Sequence, residues 1–174
     1  MIGKWLVLLA ALVLGGCMPP VETYKGQGPV FSPESYFNGP IKAWGMVQDR
    51  TGKVRERFDV AMVGSWEGDT GTLKEEFTYY SDGHKQNRVW TIRKKPEGNY
   101  EGTAADVKSV ATGVSGGHAM RWRYIMDLPV GGKTYEVAFD DWMFLMNDGV
   151  LINRSYIKKF GITVAELTIF MQKQ

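Results

Sequence analysis

The sequence predicts an all-β protein: an antiparallel, up-and-down β-barrel of about 8–10 strands, with one short N-terminal helix. Apolar and polar residues alternate in most segments beyond residue 40, as in strands with one buried and one wet face. Turn signals rich in Gly, Asp and Asn separate these segments at short intervals. Short turns between consecutive strands favour a closed meander, with a Greek-key sandwich as the alternative.

The N-terminal 16 residues have the pattern of a signal peptide. Lys4 precedes an apolar run, Trp5–Leu14, which is too short to span a bilayer. The only cysteine, Cys17, follows directly. We therefore expect a signal peptide over residues 1–16.

The next segment is rich in proline and glycine, which predicts a flexible tether over residues 17–33. A single domain is then expected over residues 34–174. Ser32 and Pro33 are typical of a helix start, and Asn38-Gly39-Pro40 limits that helix to about one turn.

The clearest strand lies between Met120 and Leu128, where Trp122, Tyr124 and Met126 share the apolar face. The run from Ile162 to Met171 does not alternate cleanly and is expected to close the barrel. The weakest strand prediction is residues 104–113. The predicted turns are Asp49-Arg50-Thr51-Gly52, Gly68-Asp69-Thr70-Gly71, Ser81-Asp82-Gly83, Pro96-Glu97-Gly98-Asn99, Gly116-Gly117, Gly131-Gly132 and Asn147-Asp148-Gly149.

The composition excludes some classes of function. The formal net charge is only +2, which gives no reason to expect a nucleic-acid partner. A single cysteine cannot form an internal disulfide. His84 and His118 lack the spacing of a metal site, and no nucleophile motif is present. We expect no catalytic residue, no metal, no cofactor and no enzymatic activity.

An acidic pair, Asp140-Asp141, follows a strand-like run. Adjacent strand residues point to opposite faces, so Asp141 is expected to face inward with Phe139 while Asp140 faces water. A buried Asp needs a partner. Arg154, across the Asn147–Gly149 turn, is the first candidate and Arg88 the second. The pair either closes one barrel end or leaves Arg154 to anchor a ligand carboxylate.

Aromatic residues occur on nearly every long segment, where they either pack the core or line a ligand cavity. The candidate ligand-binding residues are Trp44, Trp66, Trp90, Trp122, Tyr124, Phe139, Asp141, Trp142 and Arg154.

The sequence Leu14-Gly15-Gly16-Cys17 resembles the lipobox of bacterial lipoproteins. The resemblance implies that Cys17 is acylated after cleavage and anchors the chain to a membrane. The absence of Asp at Met18 implies the outer membrane, with the domain facing the periplasm. The alternative is a secreted protein with a free thiol.

Further motifs resemble a family of bacterial lipoproteins known as domain of unknown function 3833. Genes of that family often lie near genes for fatty-acid-modifying enzymes, which implies a lipid-related role. The motifs are Tyr36-Phe37-Asn38-Gly39, Ala43-Trp44-Gly45, Gln48-Asp49-Arg50, Arg88-Val89-Trp90, Trp122-Arg123-Tyr124, Asp127-Leu128-Pro129-Val130, Phe139-Asp140-Asp141-Trp142-Met143, Asn153-Arg154-Ser155 and Lys159-Phe160-Gly161.

Gly64-Ser65-Trp66 is similar to the Gly-x-Trp of lipocalin-like (calycin) barrels, although it falls in the second predicted strand. That resemblance implies binding of small hydrophobic ligands. We therefore expect an envelope lipoprotein that binds or carries a fatty acid or lipid. The alternative is a structural or interaction lipoprotein with a solid core that acts on an envelope protein partner.

Overall fold

The structure, a computed structural model, describes residues 18–174. The predicted signal peptide and the predicted acylation site Cys17 lie outside this range. A 3₁₀ turn, Val21–Tyr24, and one helical turn, α1 (Pro33–Tyr36), precede ten strands. The strands are β1 (Gly39–Asp49), β2 (Val54–Glu67), β3 (Thr70–Tyr79), β4 (Lys85–Lys94), β5 (Asn99–Thr103), β6 (Ala111–Gly116), β7 (Ala119–Val130), β8 (Lys133–Leu145), β9 (Val150–Lys159) and β10 (Ile162–Lys173).

The ten strands form one closed antiparallel barrel in which each strand pairs with its sequence neighbours. The ring closes where β1 pairs with β10, from Ile41 opposite Lys173 to Asp49 opposite Ala165. This confirms the predicted up-and-down barrel and rejects the Greek-key sandwich. It also confirms β10 as the closing strand.

Alternation along the strands decides which residues fill the barrel. On β7, Met120, Trp122, Tyr124 and Met126 are buried inside, while Arg123 is exposed outside. Removing each such large apolar side chain from water contributes about 1.5–3 kcal/mol. The ten strands that close the barrel, and the described core that they enclose, all lie within residues 18–174.

Residues 31–37, here called the plug, close one end of the barrel. Phe31, Tyr36 and Phe37 contact one another edge to face and belong to the core. Ser32 Oγ caps α1 by accepting from the Ser35 amide at 3.3 Å. Val21 is also buried, at 4% exposure. Within the predicted tether, residues 17–33, the side chains of Val21, Phe31 and Pro33 thus pack on the barrel, whereas most of those between Val21 and Phe31 are exposed.

Contacts around the rim hold the plug in place. Trp66 Nε1 donates to the Phe37 carbonyl at 3.0 Å, and Tyr36 Oη donates to the Gly149 carbonyl at 3.1 Å. Tyr100 Oη donates to Glu34 at 2.9 Å. A side chain at Gly64 would place its Cβ 2.0 Å from the Phe37 carbonyl oxygen, so this close approach requires glycine. The Gly-x-Trp motif thus anchors the plug.

The barrel wall has a gap between β4 and β7. Strand β5 pairs with β4 only at residues 91–94, and β6 pairs with β7 only at residues 119–123. Residues 104–110, here called the wall loop, cover the remaining space through a bridge between Val107 and Met126. The weak strand prediction at residues 104–113 thus holds only from Ala111.

Candidate functional site

A cavity of about 110 Å³ lies inside the barrel between the plug and a layer of aromatic side chains. Its wall is mainly apolar, and Trp90 and Trp122 meet there edge to face with centroids 5.8 Å apart. The plug contributes Pro33 and Phe37. Four methionines also line the cavity: Met62, Met120, Met143 and Met171.

Polar side chains from strands on opposite sides of the ring also line the cavity. Glu75 on β3 stands directly opposite Arg88 on β4, with 3.9 Å between Glu75 Oε2 and Arg88 Nη1. Asp141 on β8 and Asn153 on β9 line the same cavity, 6% and 3% exposed. A buried Asp, Glu, Arg and Asn in one apolar barrel is a costly arrangement, which is typical of functional sites.

Arg88 links this polar cluster to the wall loop. Its Nε and Nη2 both donate to Asp106 Oδ2, at 2.9 and 2.7 Å. The Lys108 amide donates to the Ile125 carbonyl at 2.8 Å, so the loop is held at two points. Any change in the charge of the cluster therefore acts directly on the segment that covers the wall gap.

Burial dominates the electrostatics of the two cavity carboxyls. It raises the pKa of Glu75 to about 7, although the Arg88 guanidinium acts to lower it. Burial likewise raises the pKa of Asp141 to about 7. Tyr124, buried beside them, has a pKa well above its usual value because of burial and the charge of Asp141. Glu75 and Asp141 thus change protonation near neutral pH.

The predicted site residues divide between the two faces of the barrel. Four of them line the cavity: Trp90, Trp122, Tyr124 and Asp141. Phe139 stacks on Tyr124 with centroids 4.9 Å apart, in the neighbouring core layer. Trp66 lies at the rim, against the plug.

Arg154 is not the partner of Asp141. It stands opposite Trp142 on the outer face, is 52% exposed, and pairs with Glu166 at 2.7 Å. Leu151, Asn153 and Ser155 are the buried residues of this part of β9. Arg154, which lies between two of them, therefore points outward. The predicted anchor for a ligand carboxylate is therefore wrong. Arg88, the second candidate, is the guanidinium in the cavity.

Two tryptophans also lie on the outer face. Trp44 is 41% exposed and packs against Phe170 of the adjacent strand. Trp142 is only 1% exposed because Tyr24, before the plug, covers it from outside. Neither contacts the cavity. His118 packs edge to face against Tyr24.

Asp140 is buried, at 4% exposure, and does not simply face water as predicted. On the outer face it accepts from Arg121 Nε at 2.6 Å and Lys158 Nζ at 2.8 Å. Burial acts to raise the pKa of Asp140, but these two cations outweigh it and hold that pKa below its usual value.

Sequence reasoning missed Glu75 and Asn153 and ranked Arg88 second. A signal was present in each strand. Glu75 falls between Leu73 and Phe77 on an apolar face, and Arg88 precedes Trp90 and Ile92 in the same alternation. A charged residue in register with buried apolar ones is the pattern that finds this site.

Residues 11–173 match a family described as protein of unknown function DUF3833. The chain belongs to the DUF3833 family. Its resemblance to that family is therefore confirmed, and the DUF3833 fold seen here is a closed barrel consistent with a lipocalin-like architecture. A comparison with curated proteins gives no match.

Two further findings concern residues 18–174 of this DUF3833 protein. No helix in that range combines the length and apolarity that a membrane crossing requires. The same residues contain no group of three or more His, Cys, Asp or Glu side chains placed to hold a metal ion.

Proposed function

We propose that this DUF3833 barrel is a non-catalytic binding protein that holds a small, mainly apolar molecule in its internal cavity. The observation that carries the proposal is the combination of a mainly apolar wall with a few polar side chains that line the same cavity. Ligand sites in proteins have this composition, with a few placed polar groups that orient the ligand. The barrel fold is compatible with such binding.

The volume of the cavity limits the size of the ligand. An apolar cavity of about 150 Å³ holds a molecule the size of benzene, and this cavity measures about 110 Å³. A whole fatty acid requires the wall to move. Methionine side chains are flexible and adapt to different ligands, so Met62, Met120, Met143 and Met171 supply the adjustable part.

The test uses residues 18–174, which contain the whole closed barrel, purified from cells without detergent. Native mass spectrometry is expected to find a bound small molecule. Titration with 1-octanol is expected to change the tryptophan fluorescence. Trp122→Phe, inside, is expected to reduce that change, whereas Trp44→Phe, outside, leaves it intact. Absence of both a bound mass and an octanol response would contradict the proposal.

We also propose that Cys17 carries the acyl chains that place the protein on the periplasmic side of the bacterial outer membrane. The lipobox-like sequence supports this. Val21, four residues after Cys17, packs on the barrel. Four residues of extended chain span at most about 14 Å, so the barrel would lie close to the bilayer. Metabolic labelling with palmitate is expected to mark the protein, and Cys17→Ser is expected to abolish the label. Unchanged labelling of that variant would refute the anchor.

A second candidate is a lipoprotein that acts through an envelope protein partner. The small size of the cavity favours it, because most of the barrel interior is filled by side chains. Crosslinking in cells that captures one specific protein, together with an empty barrel in native mass spectrometry, is the result expected for this role.

A further inference from the structure

Three polar atoms in the cavity wall have the same hydrogen-bonding need. Glu75 Oε2, Asp141 Oδ1 and Asn153 Oδ1 are buried and have no hydrogen-bond partner among residues 18–174. Asn153 already uses its Nδ2 to donate to Ser155 Oγ, at 3.1 Å. All three side chains line the cavity, and all three atoms are acceptors.

The charges around the cavity are also unbalanced. Among the residues that the structure describes, Arg88 is the one guanidinium that lines it, and its two shortest bonds go to Asp106 on the wall loop. Its contact with Glu75 is longer, at 3.9 Å. Asp106 and Glu75 therefore share Arg88, so that three carboxyls, those of Asp106, Glu75 and Asp141, lie near one guanidinium.

We propose that the ligand of this site is an apolar molecule with a primary amine, whose ammonium group donates to Glu75, Asp141 and Asn153. The inference rests on the proposed binding function and specifies its ligand class. An ammonium supplies three donors and no acceptor, which matches three unpartnered acceptors. Its charge offsets the excess of carboxyls.

A carboxylate ligand fits poorly for the same reasons. It brings only acceptors and a further negative charge into a site where three acceptors already have no partner, and burying an uncompensated charge is costly. An alcohol supplies a single donor and no charge. Among ligands of equal chain length, we therefore expect the affinity to decrease from the amine to the alcohol to the carboxylate.

The first experiment compares hexylamine, hexan-1-ol and hexanoate by calorimetry on residues 18–174, at pH 8 in an amine-free phosphate buffer. We expect the amine to bind at least tenfold more tightly than the carboxylate. Equal or tighter binding of hexanoate or hexan-1-ol would overturn the inference and leave the proposed function standing. Failure of all three probes to bind would overturn both.

The second experiment tests the residues. Asp141→Asn keeps the shape of the side chain and removes its charge, so the preference for hexylamine over hexanol is expected to fall at least fivefold. Glu166→Gln, on the outer face against Arg154, is the matched control and is expected to keep the preference. An unchanged preference in Asp141→Asn contradicts the assignment. If that variant does not fold by circular dichroism, the ranking on the unmodified barrel decides alone.

The pH dependence distinguishes the head groups again. Glu75 and Asp141 face Arg88, Asp106 and Tyr124 from the neighbouring strands and the wall loop, and Asp140 lies beside Asp141. Ionisation of the two cavity carboxyls between pH 6 and 8 is expected to strengthen hexylamine binding severalfold. Binding of hexylamine that weakens as pH rises over this range would contradict the inference.

Discussion

Asp140 and Asp141 are adjacent in the chain but lie on opposite sides of the barrel wall. Asp140 is held on the outside between Arg121 and Lys158, whereas Asp141 faces the cavity opposite Trp122 on β7. The outer carboxyl has a lowered pKa and the inner one a raised pKa. One strand thus carries a carboxylate with two cationic partners and a carboxyl that gains and loses its proton near neutral pH.

The outer carboxylate is expected to stabilise the barrel. Asp140→Asn removes the charge that pairs with Arg121 and Lys158, which are themselves 29% and 33% exposed. Since the partners keep some access to water, we expect a loss of about 1–3 kcal/mol in the free energy of unfolding. Urea unfolding measures this. Glu166→Gln, which breaks an exposed pair, is the control and is expected to cost less than about 1 kcal/mol. Equal effects of the two variants would contradict the assignment.

The inner carboxyls make stability depend on pH. Their pKa is about 7 in the folded barrel and about 4 in an unfolded chain. Below about pH 4 both states hold the protons, and stability is complete. Between these two values the unfolded chain has ionised while the folded barrel still holds its protons, so stability falls as pH rises and levels off above about pH 7. At about 1.4 kcal/mol per pH unit and per group, we expect a total loss on the order of 5 kcal/mol between pH 5 and 8.

Urea unfolding at pH 5, 6.5 and 8 measures this slope. Carboxyls with lowered pKa, such as Asp59 and Asp140, are ionised in both states above pH 5 and contribute little in this range. The double variant Glu75→Gln/Asp141→Asn is expected to remove most of the slope. A stability that rises from pH 5 to pH 8 would show that these carboxyls are not the controlling groups.

Gly113 is expected to resist substitution. It stands directly opposite Trp122, and a Cβ built on it would lie 2.3 Å from Trp122 Cε3. Gly113→Ala should therefore displace the indole from the cavity wall and cost about 1–3 kcal/mol of unfolding free energy. Thr112→Ala, at the exposed neighbouring position, is the control and should change it by less than about 0.5 kcal/mol. Thermal melting of both variants checks this, and an unaffected Gly113→Ala barrel would disprove the steric argument.

The ion pair of Arg88 with Asp106 is expected to hold the wall loop closed. Asp106→Asn weakens both hydrogen bonds to Arg88 while keeping the shape of the side chain. Hydrogen exchange of the Lys108 amide, which donates to Ile125, is then expected to accelerate by at least tenfold. Exchange on β1 serves as the internal reference. Uniform acceleration across the barrel would indicate general destabilisation in place of local opening.

Much of this architecture could be predicted from the sequence, because alternation and turn chemistry are local. All seven predicted turn signals coincide with connections between consecutive strands, and four of them overlap the end of a neighbouring strand by one or two residues. The face of Asp141 could also be predicted, since Val137 and Phe139 set the alternation of β8.

The absence of an ion pair between Arg154 and Asp141 could not be predicted, because it depends on which face of β9 each residue occupies. Arg154 is predicted to pair with Asp141 because it lies just across the turn. Leu151 and Ile152 are both apolar, so the sequence does not show which of them faces the interior. Trp44 is a predicted cavity residue because aromatic residues occur on nearly every long segment, yet the inward residues on either side of it are Ala43 and Gly45. Small inward residues leave no hydrophobic signal. The packing of Val21 could not be predicted, because a proline-rich sequence does not show which of its side chains contact the barrel.

The pairing of β1 with β10 also determines the order in which the protein can fold. Ile41 finds its partner Lys173 only when nearly the whole chain is present. Contacts so distant in sequence form slowly, typically in milliseconds to seconds. Before then, β1 and β9 both expose unpaired edges that can associate with other chains. The last 12-residue strand therefore decides whether the preceding nine become a closed ring or an aggregation-prone sheet.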